Sequence, residues 1–407
     1  MVKKWICTVC NYVHEGPEPP DVCPVCGVGR EMFVPYSEQE PGADAGSERD
    51  GDGEPQTLEQ VRDRARDLLR GICAVYPHCN GGSQNICQRE AYGHPIGLGG
   101  AGRGLAFRAN VEALERIRLR TRLVGPHFEP RTRFDFFGQA LTMPIMGAST
   151  SGVGRYHEAI DEAGFCRAHV EGCREAGTIS WRGDTFFYTE DDHPGLDSLE
   201  AAGGAGVQIF KPRAQDSLKR LFARAERVGC PAVGVDLDGC GSTNFARAGQ
   251  PVYRKSPAEL RELVSSTGLP VIFKGIMDPE DAEACLEAGA RAIAVSNHGG
   301  RVLDSTPGVA EVLPAVVERV GGGAMVVADG GVRTGYDVLK LLALGADAVL
   351  VGRDLVRAAV GGGAAGVRMQ MERLGRVLAK AMLMTGNPDL AAIDAQTLEP
   401  AAAGFMA

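Results

Sequence analysis

The sequence predicts an α/β protein: a (β/α)8 TIM barrel with a small N-terminal metal-binding domain. Three observations predict it. Short apolar runs such as Ala292-Ile293-Ala294-Val295 and Ala348-Val349-Leu350-Val351 read as strands buried on both faces, the pattern of a parallel sheet wrapped in helices. Helical patterns, for example Gln215–Val228 and Pro279–Ala288, fill most gaps between such runs and give a βαβ alternation. The runs then break into glycine, hydroxyl and charged residues, as barrel strands do at the C-terminal face where their chemistry sits.

In chain order, the metal-binding domain comes first, over residues 1–36. Cys7-Thr8-Val9-Cys10 and Cys23-Pro24-Val25-Cys26-Gly27 are two CxxC knuckles separated by twelve residues. Four thiolates on two tight turns make a tetrahedral sulfur site, which suits zinc or a single iron. So short a segment cannot bury enough apolar surface to fold alone, so the metal holds it together around Trp5, Tyr12 and Phe33. The stretch from Trp5-Ile6-Cys7 through Tyr12-Val13-His14-Glu15-Gly16 to the second knuckle resembles the short rubredoxin module of rubrerythrins. That resemblance implies redox-active iron on Cys7, Cys10, Cys23 and Cys26, with a structural zinc ribbon as the alternative.

Residues 37–56 hold seven acids and one arginine among glycine, proline, serine and alanine, a disordered linker by composition. Its twenty residues span about 25 Å as a flexible chain. The barrel and its N-terminal extension fill residues 57–407, opening on Thr57-Leu58-Glu59-Gln60, which reads as a capping box. Gly97-Leu98-Gly99-Gly100-Ala101-Gly102 matches the dinucleotide pattern GxGxxG but follows no strand, and is rejected as a nucleotide site. The eight strands are placed at Pro144–Ala148, Gly177–Ser180, Val207–Phe210, Ala232–Leu237, Val271–Phe273, Ala292–Val295, Met325–Ala328 and Ala348–Val351.

The loops after the later strands carry the chemistry. Strand six runs into Ser296-Asn297-His298-Gly299-Gly300-Arg301, where a histidine can shuttle a proton near neutral pH and Arg301 can grip a carboxylate. Lys274-Gly275 ends strand five, Asp329-Gly330-Gly331-Val332-Arg333 follows strand seven, and Gly352-Arg353 follows strand eight, where barrels commonly hold a phosphate. These four motifs together resemble the FMN-dependent α-hydroxy acid dehydrogenase/oxidase family, over roughly residues 95–395.

The resemblance implies the following roles. Ser149, Thr150 and Ser151 meet the flavin ring through backbone groups, and Gln208 and Ser296 hydrogen-bond its edge. Lys274 stabilises the anionic reduced flavin, and Asp329, Gly330, Gly331, Arg333, Gly352 and Arg353 hold the ribityl phosphate end. His298 is the general base, oriented by Asp236, and Arg301 binds the substrate carboxylate. The family's two further tyrosines and second arginine correspond by spacing to Ile96, Phe210 and Thr243, so the substrate half is rewritten; Arg247 is the nearest replacement in sequence. A branch of the family carries four cysteines near Cys73, Cys79 and Cys87; Tyr76 stands in one of those positions, so unligated thiols are expected there.

Formal net charge is −9 over 407 residues, which argues against nucleic acid as a partner. No apolar run approaches the about 18 residues of a membrane span, and the start shows no signal-peptide core. Twelve cysteines without an export signal point to a reducing cytoplasm. The expectation is a cytoplasmic homo-oligomer acting on a small-molecule 2-hydroxy acid or related carboxylate, with electrons passing between FMN and iron and onward to a redox protein. The alternatives are an FMN enzyme working reductively or without net redox, like the type 2 isopentenyl diphosphate isomerases, its cysteine module a zinc ribbon for docking, and an interaction protein whose barrel has lost catalysis.

Overall fold

The computed structural model describes residues 4–7, 13–22, 29–30, 33–36, 55–69, 86–87, 90–91, 100–155 and 160–400. The chain divides into two compact units, residues 1–53 and 54–407. In the first, Lys4–Cys7 is the central strand of an antiparallel sheet between Val13–Glu15 and Phe33–Tyr36. Trp5 donates its indole N–H to the Gly16 carbonyl at 3.2 Å, and Phe33 is buried. Tyr12, Cys10, Cys23, Cys26 and the Cys7 side chain lie outside the described residues.

The second unit is a closed, all-parallel eight-stranded barrel. Its strands are β1 (Ile145–Thr150), β2 (Ser180–Arg182), β3 (Gly206–Phe210), β4 (Val233–Asp236), β5 (Val271–Ile276), β6 (Ala292–Val295), β7 (Met325–Ala328) and β8 (Ala348–Val351). The last three occupy the ranges read from the sequence. β2 starts later than the expected Gly177, because Gly177 holds a left-handed φ of +78° in the turn that leaves the preceding helix. Leu237 belongs to a 3₁₀ turn, Leu237–Gly241, rather than to β4.

Before the barrel come α1 (Leu58–Leu68), with the predicted capping box of Thr57 and Gln60, and α2 (Leu105–Arg116). The ring helices that matter below are α3 (Glu162–Glu175), α4 (Pro194–Ala201), α5 (Gln215–Val228), α6 (Thr243–Arg247), α7 (Pro257–Ser265), α8 (Pro279–Glu287), α9 (Val309–Val320), α10 (Gly335–Ala343) and α11 (Arg353–Thr385). Side chains alternate between two apolar layers. Met146, Trp181, Val207, Ile209, Ile272, Ala294, Val327 and Leu350 fill the barrel interior, floored by Phe136 and Leu141 of a short hairpin. Val271, Phe273, Ile293, Val295, Val349 and Val351 pack outward against the helices. Among the described residues no helix is long and apolar enough to cross a membrane.

Candidate active site

The polar groups gather where the strands end. On β5 the alternation that sends Ile272 inward and Phe273 outward returns Lys274 to the interior, and a register shift follows between Lys274 and Ile276. The Lys274 ammonium donates to Asp236 Oδ1 at 3.2 Å and Ser296 Oγ at 3.0 Å, and lies 3.8 Å from Asp329. Ser296 Oγ in turn donates to Asp329 Oδ2 at 2.8 Å and accepts the His298 backbone N–H at 3.0 Å.

Burial pulls the Lys274 pKa down, but the carboxylates of Asp236 and Asp329 outweigh it and hold it above the usual lysine range. Burial alone raises the Asp236 carboxyl; His298, Lys211 and Lys274 outweigh it and hold this carboxyl well below the usual range. At Asp329 burial prevails over Lys274 and Ser296, so its carboxyl is pushed up.

His298 stands at a left-handed φ of +58°. Its Nδ1 lies 3.1 Å from Asp238 Oδ1 and 3.3 Å from Asp236 Oδ2. Two carboxylates, not Asp236 alone, therefore fix the ring. Sequence reading missed Asp238; its signal was a second acid two residues after Asp236 in the same strand-end turn. The other ring nitrogen, Nε2, is 3.4 Å from the Lys211 ammonium, which lies 2.5 Å from Asp236 Oδ2. Lys211 was also missed, though a charge directly after a buried strand is the mark of a mouth residue.

Its neighbour Phe210 does not face the mouth. It is fully buried in the outer layer, 5.4 Å from the His193 ring and 6.1 Å from Phe222 of α5. Thr243 and Arg247, on α6, are both exposed. Ile96, Cys73 and Cys79 lie outside the described residues, as does the side chain of Cys87.

Past β7 and β8 a second polar region forms around Phe107 of α2. The Arg353 guanidinium lies 4.6 Å from the Phe107 ring centre and donates to the Gly299 carbonyl at 2.9 Å. The Arg333 guanidinium lies 6.0 Å from the same ring, and its buried Nε and Nη2 have no hydrogen-bond partner. Gly331, at φ +77°, must be glycine, since a Cβ there would meet the Asn110 carbonyl oxygen at 2.7 Å. The Asn110 and Asn297 amides bond each other, at 2.7 Å from Asn110 to Asn297. From the loop after β6, Asp304 accepts the N–H groups of Arg103 (2.7 Å), Leu105 (2.7 Å) and Ala106 (3.2 Å), so α2 is capped by a residue about two hundred positions later. Arg301 is half-buried in that loop.

Ser149, Thr150 and Ser151 are half-buried at the end of β1, where the Thr150 carbonyl accepts from Arg182 at 2.9 Å and the Ser151 hydroxyl donates to the Asp184 carbonyl at 3.0 Å. Gln208 stands apart: its amide N–H₂ donates to the carbonyls of Arg182, Gly183 and Ile209, while its Oε1 has no partner.

These residues fit FMN. Two guanidinium nitrogens of Arg333 are buried without a partner, a glycine pair (330–331) lets backbone approach, and Gly352 leaves the start of α11 without a side-chain cap. That is an anion site of backbone and guanidinium donors. The unpartnered Asp329 Oδ1 can accept a ribityl hydroxyl, and the buried Lys274 suits a ring that becomes anionic on reduction. Such a barrel is a flavin-dependent oxidoreductase.

Comparison with known proteins agrees. Residues 97–248 and 241–400 match the FMN-dependent dehydrogenase family, and residues 5–34 match the rubredoxin-like domain of rubrerythrin. An L-lactate oxidase of Alicycliphilus denitrificans is 33% identical over 351 residues, covering 76% of this chain and 93% of that protein. A 4-hydroxymandelate oxidase of Amycolatopsis orientalis is 33% identical over 327 residues, covering 71% and 88%. The structure of mandelate oxidase with benzoyl-formic acid is similar at a TM-score of 0.65 and 30% identity, covering 84% of this chain and 97% of that one. The chain belongs to the FMN-dependent dehydrogenase family.

Proposed function

We propose that the barrel oxidises a 2-hydroxy acid to the 2-oxo acid, with His298 as the base. The observation that carries this reading is the His298 ring, whose Nδ1 faces two carboxylates while Nε2 lies 3.4 Å from the Lys211 ammonium. The relatives' names support the substrate class: lactate, mandelate and 4-hydroxymandelate are all 2-hydroxy acids. With Nδ1–H held by Asp236 and Asp238, Nε2 is the acceptor that takes the substrate hydroxyl proton. The imidazolium so formed lies against those carboxylates. Held by these residues, FMN would supply the two-electron acceptor for the hydrogen that leaves the substrate carbon with its bonding pair. Lys274 holds a fixed positive charge at the ring, and Ser296 orients that ammonium. Ser149, Thr150, Ser151 and Gln208 line the ring's surroundings; Asp329, Gly330, Gly331, Arg333, Gly352 and Arg353 hold the phosphate end. Arg301 meets the substrate carboxylate.

The domain of residues 1–36 is proposed to hold one iron on Cys7, Cys10, Cys23 and Cys26, at the end of the 37–56 linker. Its rubredoxin-like sequence supports a one-electron carrier between the flavin and a protein acceptor. A tether spanning about 25 Å gives an effective concentration near millimolar, enough for a weak docking surface to be occupied often. A reducing cytoplasm suits the free thiols of Cys166, Cys173, Cys230 and Cys285 buried in the barrel unit.

The test is anaerobic flavin bleaching. His298→Gln retains FMN, because the phosphate grip lies elsewhere, and slows substrate-driven bleaching by about 10²–10⁴-fold, the usual range for a lost general base. An unchanged rate removes His298 from that role.

A further inference from the structure

We propose that Lys211 is a second substrate-binding cation of this site, taking one carboxylate oxygen of the 2-hydroxy acid beside Arg301; this rests on the reading of His298 as the base. Alternation puts Lys211 in the mouth. On β3, Val207 and Ile209 face the barrel interior and Phe210 faces the helices, so the next residue returns inward beyond the last apolar layer. The Lys211 backbone N–H donates to Asp184 Oδ2 at 3.0 Å, which fixes the stem of the side chain.

The ammonium then lies between the two groups that matter. It is 2.5 Å from Asp236 Oδ2 and 3.4 Å from His298 Nε2. In a 2-hydroxy acid the hydroxyl and a carboxylate oxygen sit on adjacent carbons, within a hydrogen bond's length of each other. A substrate whose hydroxyl meets Nε2 therefore has its carboxylate within reach of Nζ.

Charge balance favours a cation at this edge in addition to Arg301. Asp236 and Asp238 both face His298, and Asp238 Oδ2 is buried without a hydrogen-bond partner. A third carboxylate entering beside them is repelled unless a positive group stands between. Lys274 is committed to Asp236, Ser296 and Asp329 from beneath. Lys211 is the ammonium at the upper edge, its side chain 13% exposed and so open to the mouth. Arg247, the replacement suggested by sequence, lies exposed on α6.

The test pairs Lys211→Met and Lys211→Arg with two forms of each substrate, L-lactate or mandelate as the free acid and as the methyl ester. The FMN-loaded, full-length enzyme is assayed by anaerobic bleaching, and binding of the matching 2-oxo acids, pyruvate and benzoylformate, is measured separately by calorimetry. Losing one partner of a desolvated charge pair predicts that Lys211→Met weakens the acids by about 10²-fold relative to the matching esters in KM, and weakens 2-oxo acid affinity by a like factor. Lys211→Arg recovers part of the acid loss. Equal losses for acid and ester, or none for either, overturn the proposal. A wild-type enzyme that binds the 2-oxo acids through Lys211 but bleaches with no 2-hydroxy acid retains the lysine's role and removes the proposed reaction. A wild-type enzyme that binds neither acid overturns both.

Discussion

Gly300 is the point at which the loop after β6 packs against α2, and replacing it by alanine tests whether that contact supports the proposed cofactor site. The residue is buried, holds a φ of +78°, and would carry a Cβ 2.3 Å from the Phe107 backbone nitrogen and 2.6 Å from its Cα. Two costs combine. The left-handed backbone with a Cβ costs about 1–2 kcal/mol, and forcing a methyl into packed backbone costs about 1–3 kcal/mol more. Gly300→Ala is therefore expected to lose about 2–5 kcal/mol. Gly322 supplies the control: its φ is also +78°, it is exposed, and a Cβ there meets nothing within 4 Å. Gly322→Ala should cost only the first part, about 1–2 kcal/mol. The overlap at Gly300 is relieved by moving α2, which displaces the Phe107 ring beneath Arg353. FMN affinity, read from quenching of flavin fluorescence, should then fall by about tenfold or more in Gly300→Ala and stay unchanged in Gly322→Ala. Denaturant midpoints give the stability half. Two variants alike in both midpoint and FMN affinity would refute the coupling between this loop and the phosphate end.

Asp304→Ala removes the carboxylate that caps α2, and the charge-assisted bonds predict a loss of about 2–3 kcal/mol at neutral pH. Burial raises this carboxyl, but the N–H groups of Arg103, Ser305, Ala106 and Leu105 outweigh it and hold its pKa below the ordinary aspartate value of 3.8. The stabilisation is therefore complete above 3.8 and fades as pH falls through the lowered folded value, so the gap between variant and wild type should narrow on acidification; a gap independent of pH through that range contradicts the capping role. For the N-terminal module, protein made with iron in excess should carry about one iron per chain, lost with its visible thiolate absorption in Cys10→Ser. Stoichiometric zinc under those conditions ends the electron-relay reading.

The barrel was legible because its strands are short, apolar and separated by helices of ordinary length. β6, β7 and β8 lie where they were placed, and their loops carry the residues that identify the flavin site. β2 was misplaced because Gly177 looks the same in sequence whether it opens a strand or closes a helix; only its φ distinguishes the two. The Thr57 capping box was readable because its contacts are local, and the Asp304 cap of α2 was not, because its partners are about two hundred residues away.

The substrate side was harder for a physical reason. Every residue of β3 from Gly206 to Phe210 is buried, so no polar alternation marks which side chains face the mouth. Spacing set Phe210 at the position of a family tyrosine, with the substrate-binding hydroxyl lost, and packing against His193 and Phe222 assigns it to the outer layer. Once Phe210 faces out, Lys211 must face in, and it does so beside Asp236 and His298. The proposed phosphate end behaves differently because glycines and a helix start stand beside Arg333 and Arg353, and those glycines leave a signature in the sequence. Lys211, directly after a fully buried strand, carries no such signature. A single reversal in facing puts an ammonium where the spacing had put an aromatic, and so changes which group meets the substrate carboxylate without disturbing the strand that carries it.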